Sequence, residues 1–330
     1  MSNFKLKKDP VYFSTMKKYE RLIIDTVNVC HKTFQKNNTT LTVGSKVVYK
    51  ESICNFIRSV ESLVKDYLYD DGEVYFLFDN YFSRADLKTS FMFADRKDLD
   101  ESYKQTRKKE NREFYNSVNF LKYYYLTDKP MFRTVQIQGL EADDLVKPLL
   151  QSDHCKDKTC LLVSSDLDWV RYLSDDPEVD WLPSFKEEVK TLGDVSAELG
   201  FKVTEDSIIL YKAIFGDVSD NIEGMITLND KNKEKFIEII KDYPTTISFT
   251  TRSRTDQDCE MFKKINEDER KFFINIQLVS SIPCDPSHID VNLSIGDDNK
   301  SMHKVVREAM GLDESKKGFV FGNVKRPRCS

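Results

Sequence analysis

No apolar run in the 330-residue sequence approaches the roughly 18 to 20 residues of a membrane-spanning helix. The N-terminal lysines of MSNFKLKKDP have no apolar segment behind them of the secretory kind, so the expected location is the cytoplasm. The 7 cysteines are odd in number and scattered without framework spacing, which excludes a disulfide-stapled module and leaves reduced thiols as the expectation. His154, Cys155 and Cys160 lie close together in HCKDKTC, but no second Cys or His pair follows at finger spacing, so no zinc site is expected there. Only 4 histidines occur and none sits in a nucleophile or base motif, which argues against histidine-centred chemistry. Charge of one sign is missing too: 50 basic against 55 acidic residues give a net charge of -5, so the overall balance does not mark a nucleic-acid binder. Internal repeats and low-complexity segments are absent.

The chain is 40% hydrophobic and 12% aromatic, ample for one large or two ordinary buried cores. Short apolar runs ending in an acid recur through the first half, separated by segments of helical period, and that alternation predicts a parallel α/β sheet. The runs are RLIID (Arg21 to Asp25), VYFLFDN (Val74 to Asn80), FRTVQIQGLEADD, turning from strand to helix at Glu141, and CLLVSSDLD (Cys160 to Asp168). Helices are predicted from about Lys50 to Leu68 and from about Glu110 to Leu126, while the charged span from Arg84 to about Arg112 shows no clear apolar stripe. Near Pro183 to Glu188 the alternation stops and helical patterns take over: Asp206 to Phe215, Lys231 to Asp242, Asn266 to Val279 and Ser301 to Gly311. The expected organisation is an α/β domain over residues 1–185 and a smaller, mainly helical domain over residues 186–330.

Every predicted strand delivers acid at its carboxyl end: Asp25, then Asp79, then Glu141 with Asp143 and Asp144, then Asp166 with Asp168. In an open parallel sheet those ends share the edge where such folds bind ligands. An extended exit from the fourth strand places Asp166 and Asp168 side by side, and a helix start puts Glu141 and Asp144 on one face. Helix capping explains one such acid readily, but not acid at all four strand ends. Two carboxylates about 5 Å apart repel by roughly 3 kcal/mol at an effective dielectric of about 20, and several such pairs rival a domain's total stability of about 5 to 15 kcal/mol. Cations must compensate. The oxygen-only donor set suits Mg²⁺ or Mn²⁺, and so many carboxylates suit two ions, the arrangement that hydrolyses phosphodiesters with ions about 3.5 to 4 Å apart. The stretch FGDVSDNIEG adds Asp217 and Asp220 directly after an apolar helical run, although Gly, Asp, Ser and Asn are also the residues of an ordinary turn.

EADD at 141–144, SSDLD at 164–168 and GDVSDNI at 216–222, in that order after Asp25 and Asp79, resemble the 5′ nuclease superfamily of flap endonucleases and 5′→3′ exonucleases. In layout and length the chain is most similar to the T-even bacteriophage ribonuclease H branch. The resemblance implies a PIN-like, mostly parallel sheet carrying a helical arch at about residues 84–115 over the active site. It implies Asp25, Asp79, Glu141 and Asp143 around a first Mg²⁺ or Mn²⁺ and Asp166, Asp168 and Asp217 around a second, with Asp144 and Asp220 in the outer coordination or on metal-held water. YKQTR falls at the family's arch motif, so Lys104 and Arg107 are the implied catalytic cations on the scissile phosphate. Tyr103 is implied to stack on a splayed base, and Lys108, Lys109 and Arg112 complete the basic stretch. One departure stands out. Relatives follow the GDxSDN-like segment with a Gly-Ile-Gly-x-Lys hairpin whose amides hold duplex phosphate, often through potassium, but here EGMITLNDKNKEKF follows. The missing glycines put the duplex anchor and any potassium site in doubt, and Lys231, Lys233, Lys235 or the basic tail Lys325 to Arg328 are the candidates for gripping duplex instead.

The activity implied is that of a metal-dependent structure-specific nuclease acting on DNA flaps and RNA primers at duplex junctions in replication. Exonuclease, flap endonuclease and ribonuclease H activity would share one site. The implied protein is a monomer, in the host cytoplasm if of phage origin. The tail GFVFGNVKRPR is a candidate segment for a sliding clamp or a single-strand-binding protein. Two other readings fit parts of the pattern: a PIN-type or Toprim-like ribonuclease, which needs fewer acids and no YKxxR arch, and a non-catalytic junction-binding protein, whose expected mark is a lost metal ligand.

Overall fold

The computed structural model describes residues 17–34, 39–79, 96–105, 110–126, 129–256, 258–289 and 291–292. Strand β1 (Tyr19–Asp25) leads through Asp25, which caps the next helix by accepting the Asn28 amide, into α1 (Thr26–Thr33). A short hairpin, β2 (Thr40–Val43) and β3 (Lys46–Tyr49), precedes α2 (Lys50–Tyr67), where Ile53, Phe56, Ile57, Val60, Leu63 and Val64 form one buried stripe. Then come β4 (Leu68–Leu77), the single turn α3 (Arg96–Leu99), and α4 (Arg112–Phe120), which widens into a π-helical turn over Leu121–Tyr125. β5 (Phe132–Val135), α5 (Ala142–Gln151), β6 (Cys160–Val163), a 3₁₀ helix (Leu167–Tyr172), β7 (Ser174–Asp175) and β8 (Glu178–Leu182) complete the α/β part.

These strands form a sheet in the order β5-β4-β1-β6-β8, all parallel, with β7 antiparallel at one edge. Strand β11 (Val291–Asn292), from the end of the described chain, pairs antiparallel with β5 at the other edge. From β1 the chain moves outward to β4 and β5, then crosses back to β6 on the opposite flank of β1. The strand order therefore reverses at β1 and β6, and the crevice beyond their carboxyl ends is where a sheet of this kind presents a site. Side chains alternate strictly across the sheet: Leu22, Ile24, Val74, Phe76, Leu161 and Val163 enter the core shared with α2 and α4. Ile23, Tyr75, Leu77, Cys160 and Leu162 enter the core on the opposite face.

That second core does not end with the sheet. It continues without a break into α7 (Glu205–Phe215), α8 (Asp230–Asp242), α9 (Thr246–Thr255), α10 (Glu260–Glu267) and α11 (Glu269–Val279), through Ile208, Phe236, Phe249, Phe262 and Phe272. The short helix α6 (Leu192–Leu199) joins through Val195. One packed core thus carries residues from both sides of position 185. The predicted helix at Asn266 to Val279 is instead two, because Asp268 leaves helical geometry (φ -140°, ψ 65°) and its side chain accepts the Lys271 amide to start α11. The predicted helix at 301–311, the basic tail, and the arch positions 84–95 and 106–109 lie outside the described residues. Among the described residues no helix is long and apolar enough to cross a membrane.

Candidate active site

The strand-end acids converge in that crevice. Asp25 closes β1 with both oxygens engaged, one on the Asn28 amide at 3.0 Å and the other on the Ser164 hydroxyl at 3.0 Å beyond β6. Asp79 follows β4 and accepts the Ala142 amide at 2.8 Å, which ties it to the start of α5. Asp143, Asp166 and Asp168 bring carboxylate oxygens within 4.8 Å of one another, and so do Asp168, Asp217 and Asp220. Asp168 belongs to both clusters. For Asp25, Glu141 and Asp166 capping and convergence are the same event, since each starts a helix at this crevice.

Local geometry differs from the sequence reading in three places. Asp166 and Asp168 do not leave an extended strand; the chain turns at once into the 3₁₀ helix, and Asp166 accepts the Asp168 amide at 2.9 Å. Glu141 is not a strand end either, because β5 stops at Val135 and a turn over residues 136–140 intervenes before α5. Asp144 is fully buried and its oxygens are spent on Arg96 Nη2 (2.8 Å), the Ile282 amide (2.8 Å) and the Glu141 amide (3.2 Å). It holds the protein together around Arg96 and presents no oxygen to the Asp143–Asp166–Asp168 cluster.

Four basic side chains enter the crevice among the described residues. Arg96 reaches Glu141 (3.0 Å) as well as Asp144, and Lys104 Nζ lies 2.5 Å from Glu141 and 3.6 Å from Asp220. Arg171 pairs with Asp168 and donates to the Val279 carbonyl at the end of α11. Lys212 Nζ stands among Asp217 (2.6 Å), Asp168 (2.8 Å) and Asp166 (3.8 Å). Lys104 was anticipated from the YKQTR motif; Arg96, Arg171 and Lys212 were not. A signal for Lys212 existed, since it is the one basic residue in the apolar helical run IILYKAIF and so had to be buried with a partner. Arg171 had a local signal, since its partner Asp168 stands three residues before it; Arg96 had none, its partners Glu141 and Asp144 lying 45 and 48 positions away.

Burial pushes the Asp25 carboxyl well above the usual carboxylate range, with Asp79, Asp143 and Asp166 adding to the shift. Glu141 and Asp166 are each pushed up to about 7, chiefly by burial. Asp168 goes the other way: burial would raise it, but Arg171 and Lys212 outweigh burial and bring it down to about 2. Asp25, Asp79, Glu141, Asp143, Asp144, Asp166, Asp168, Asp217 and Asp220, nine carboxylates, thus face four basic side chains among the described residues. A crowded set of carboxylates with only oxygen donors, several of them raised by burial, fits hard divalent cations, and the residues present suit such ions.

The remaining sequence candidates divide. Tyr103 is buried, at 3% exposure, with its hydroxyl 3.2 Å from Asp220, so its ring faces the core and is not presented to a base. Arg112 starts α4 and is exposed. Arg107, Lys108 and Lys109 lie outside the described residues. Lys231 and Lys235 are exposed in the first turns of α8 and Lys233 is half-buried; Lys235 pairs with Glu238.

Asp217 is carried by a tight hairpin of β9 (Gly216–Asp217) and β10 (Ile222–Glu223). Gly216 has φ +85°, and a Cβ there would stand 2.6 Å from the Gly224 amide nitrogen and the Ile222 carbonyl; a Cβ on Gly224 would stand 2.4 Å from the Phe215 carbonyl carbon. The two glycines pack back to back and close the hairpin. Beyond it no glycine nest forms: Asn229 caps α8 by accepting the Asn232 amide, and Asn232 donates back to the Thr227 carbonyl. Gly216→Ala is expected to destabilise the protein by about 1 to 3 kcal/mol through this clash and the disfavoured φ, read as a lower midpoint in denaturant unfolding.

A parallel sheet whose switch-point crevice gathers carboxylates in this way marks the class of α/β protein whose site suits phosphodiester chemistry assisted by divalent cations. A family model described as 5′-3′ exonuclease, N-terminal resolvase-like domain, matches residues 20–200, more than half of the chain, and the protein belongs to that family. It is a 5′ nuclease, a phosphodiester hydrolase. The flap endonuclease of Escherichia phage T5 is 24% identical over 269 residues, spanning 78% of this chain and 82% of that protein. Its fold is similar to a solved complex of the bacteriophage T5 flap endonuclease with DNA and metal ions (TM-score 0.58, 20% identity, 78% of this chain and 88% of that one). It is also similar to the catalytic core of Rad2 in complex with DNA substrate (TM-score 0.50, 13% identity, 90% and 88%).

Proposed function

We propose that the protein is a Mg²⁺-dependent, two-ion, structure-specific nuclease that removes 5′ flaps and RNA primers at replication junctions, leaving 5′-phosphate ends. The observation that carries this reading is the meeting of both acid clusters with Lys104 in one crevice at the switch point. Asp25, Asp79, Glu141 and Asp143 would hold one ion, and Asp166, Asp168 and Asp217 the other. Bound there, the ions would supply Lewis-acid polarisation of the phosphate and a nucleophile at neutral pH. Lys104, with Arg107, would place positive charge on the non-bridging phosphate oxygens, where the transition state gathers charge that a floor of carboxylates cannot meet. Arg96 and Asp144 hold Glu141 from behind, and Arg171 and Lys212 orient Asp168. With no glycine nest, Lys231 and Lys233 on α8 are the groups proposed to meet duplex phosphate. The DNA bound in the T5 and Rad2 relatives supports a DNA substrate.

End-labelled flap, nicked and RNA-primed duplexes, incubated side by side in Mg²⁺ and in chelator, test the reading. Cleavage near the junction of the flap and primed duplexes, abolished by chelator, is the expected outcome. Preference for linear single-stranded RNA without regard to a 5′ end would replace it with a PIN-type ribonuclease, and junction binding without any cleavage would make it a binding protein.

A further inference from the structure

The turn Glu101–Gln105, which carries Lys104, does not stand free of the helical half of the molecule. The Lys104 amide donates to the Asp220 carbonyl at 2.9 Å, the Tyr103 hydroxyl to the Asp220 carboxylate at 3.2 Å, and the Asn221 side-chain amide to the Ser102 carbonyl at 2.9 Å. Lys104 and Asn221 both take left-handed backbone angles, φ 56° and 60°. A lysine has no intrinsic preference for that region, so the docking contacts must impose it. The hairpin that makes these contacts is itself fixed, since the buried Asn275 of α11 donates to both the Ala213 and Glu223 carbonyls, and the Met225 amide donates to the Ile214 carbonyl at 2.7 Å.

We infer that Asn221, with the Asp220 main chain, is a positioning residue that latches the Lys104 turn onto the β9–β10 hairpin, so that the catalytic lysine is aimed by the helical half of the protein. The inference rests on the proposed role of Lys104. It gives Asn221 a task separate from the acid cluster: Asp217 and Asp220 both bring oxygens to Asp168, while the Asp220 main chain and the Asn221 side chain hold the turn. It also makes one rigid unit of the lysine and the duplex-facing α8, because the chain runs from the hairpin into α8 within six residues of Gly224. Duplex seated on α8 and the cation at the scissile phosphate then share a fixed spacing.

Asn221→Gly keeps the left-handed backbone and removes only the side-chain amide; Asn221→Asp keeps the shape and turns a donor into an acceptor facing the Ser102 carbonyl. For both, kcat on a 5′-flap duplex at saturating Mg²⁺ is expected to fall by about 10- to 100-fold with KM within about threefold of wild type. Hydrogen exchange at the Lys104 amide is expected to quicken by about tenfold, while exchange over residues 160–172 stays unchanged, which shows that the acid floor is still folded. Unchanged exchange at Lys104, or faster exchange with unchanged kcat, would overturn the latch. Should the wild type cleave none of the junction substrates, the nuclease reading fails, and exchange at Lys104 in the two variants still decides whether the contact holds the turn.

Discussion

Asp166→Asn is expected to lower flap cleavage in Mg²⁺ by about 10³-fold or more, and to leave the metal-free protein more stable than wild type above neutral pH. The two effects have one cause. Burial, with Asp168 and Asp143 beside it, pushes the Asp166 carboxyl up to about 7 from an ordinary value of 3.8. A carboxyl raised in the folded state contributes stability that is complete below its unfolded value and is lost as pH climbs through the folded one. Metal-free wild type should therefore weaken across the window from about 4 to about 7, with Glu141, also pushed up to about 7, acting in the same direction. The amide variant escapes the part due to Asp166, so its pH profile is flatter. Divalent ions remove the penalty in wild type by favouring the ionised form. Thermal melting of both proteins in chelator and in Mg²⁺, across that window, measures the stability half; single-turnover cleavage measures the other. A variant that cuts as fast as wild type removes Asp166 from the site, and one that melts below wild type in chelator at high pH refutes the electrostatic account.

Lys212→Met is expected to destabilise the metal-free protein by about 3 to 5 kcal/mol, the range for removing one partner of a buried ion pair. Lys212 is 5% exposed, and its ammonium neutralises Asp168 and Asp217 while standing 3.8 Å from Asp166. Methionine keeps most of the volume, so the loss is electrostatic and not a cavity. Mg²⁺ should restore much of the difference, because it binds the folded acids and not the unfolded chain. Denaturant unfolding with and without Mg²⁺ reads both numbers. A loss below about 1 kcal/mol without metal would mean that Arg171 alone compensates Asp168 and that Lys212 is not required for the fold.

The middle of the sheet was legible because β1, β4, β5 and β6 lie in short apolar runs separated by segments of helical period; β7 and β8 were not, since neither is a plain apolar run. Helix α2 was legible for the same kind of reason, its stripe repeating at three and four residues. The break at Asp268 was not, since a capping side chain inside a continuous amphipathic pattern changes direction without changing the pattern. Nor was the continuity of the core across residue 185: a change in secondary-structure type reads as a boundary in sequence, whereas packing joins whatever apolar faces meet.

Residue type and strand order already pointed acids toward one edge of a parallel sheet: Asp25 ends β1, Asp79 follows β4 and Asp166 follows β6 after two serines, whereas Asp143 reaches the same crevice through a turn and the start of α5. Tertiary contacts alone assign each charged group its duty. Asp144 and Asp217 are both aspartates after a glycine-containing segment, yet one is sealed under Arg96 and the other is turned toward Lys212 and Asp168. Tyr103, a plausible stacking ring in the chain, is a buried hydroxyl donor in the fold. The physical reason is common to all three. Hydrogen bonding and ion pairing depend on distances of about 3 Å that the fold sets, between Arg96 and Asp144 or Tyr103 and Asp220 across long stretches of chain and between Lys212 and Asp217 across a helix end.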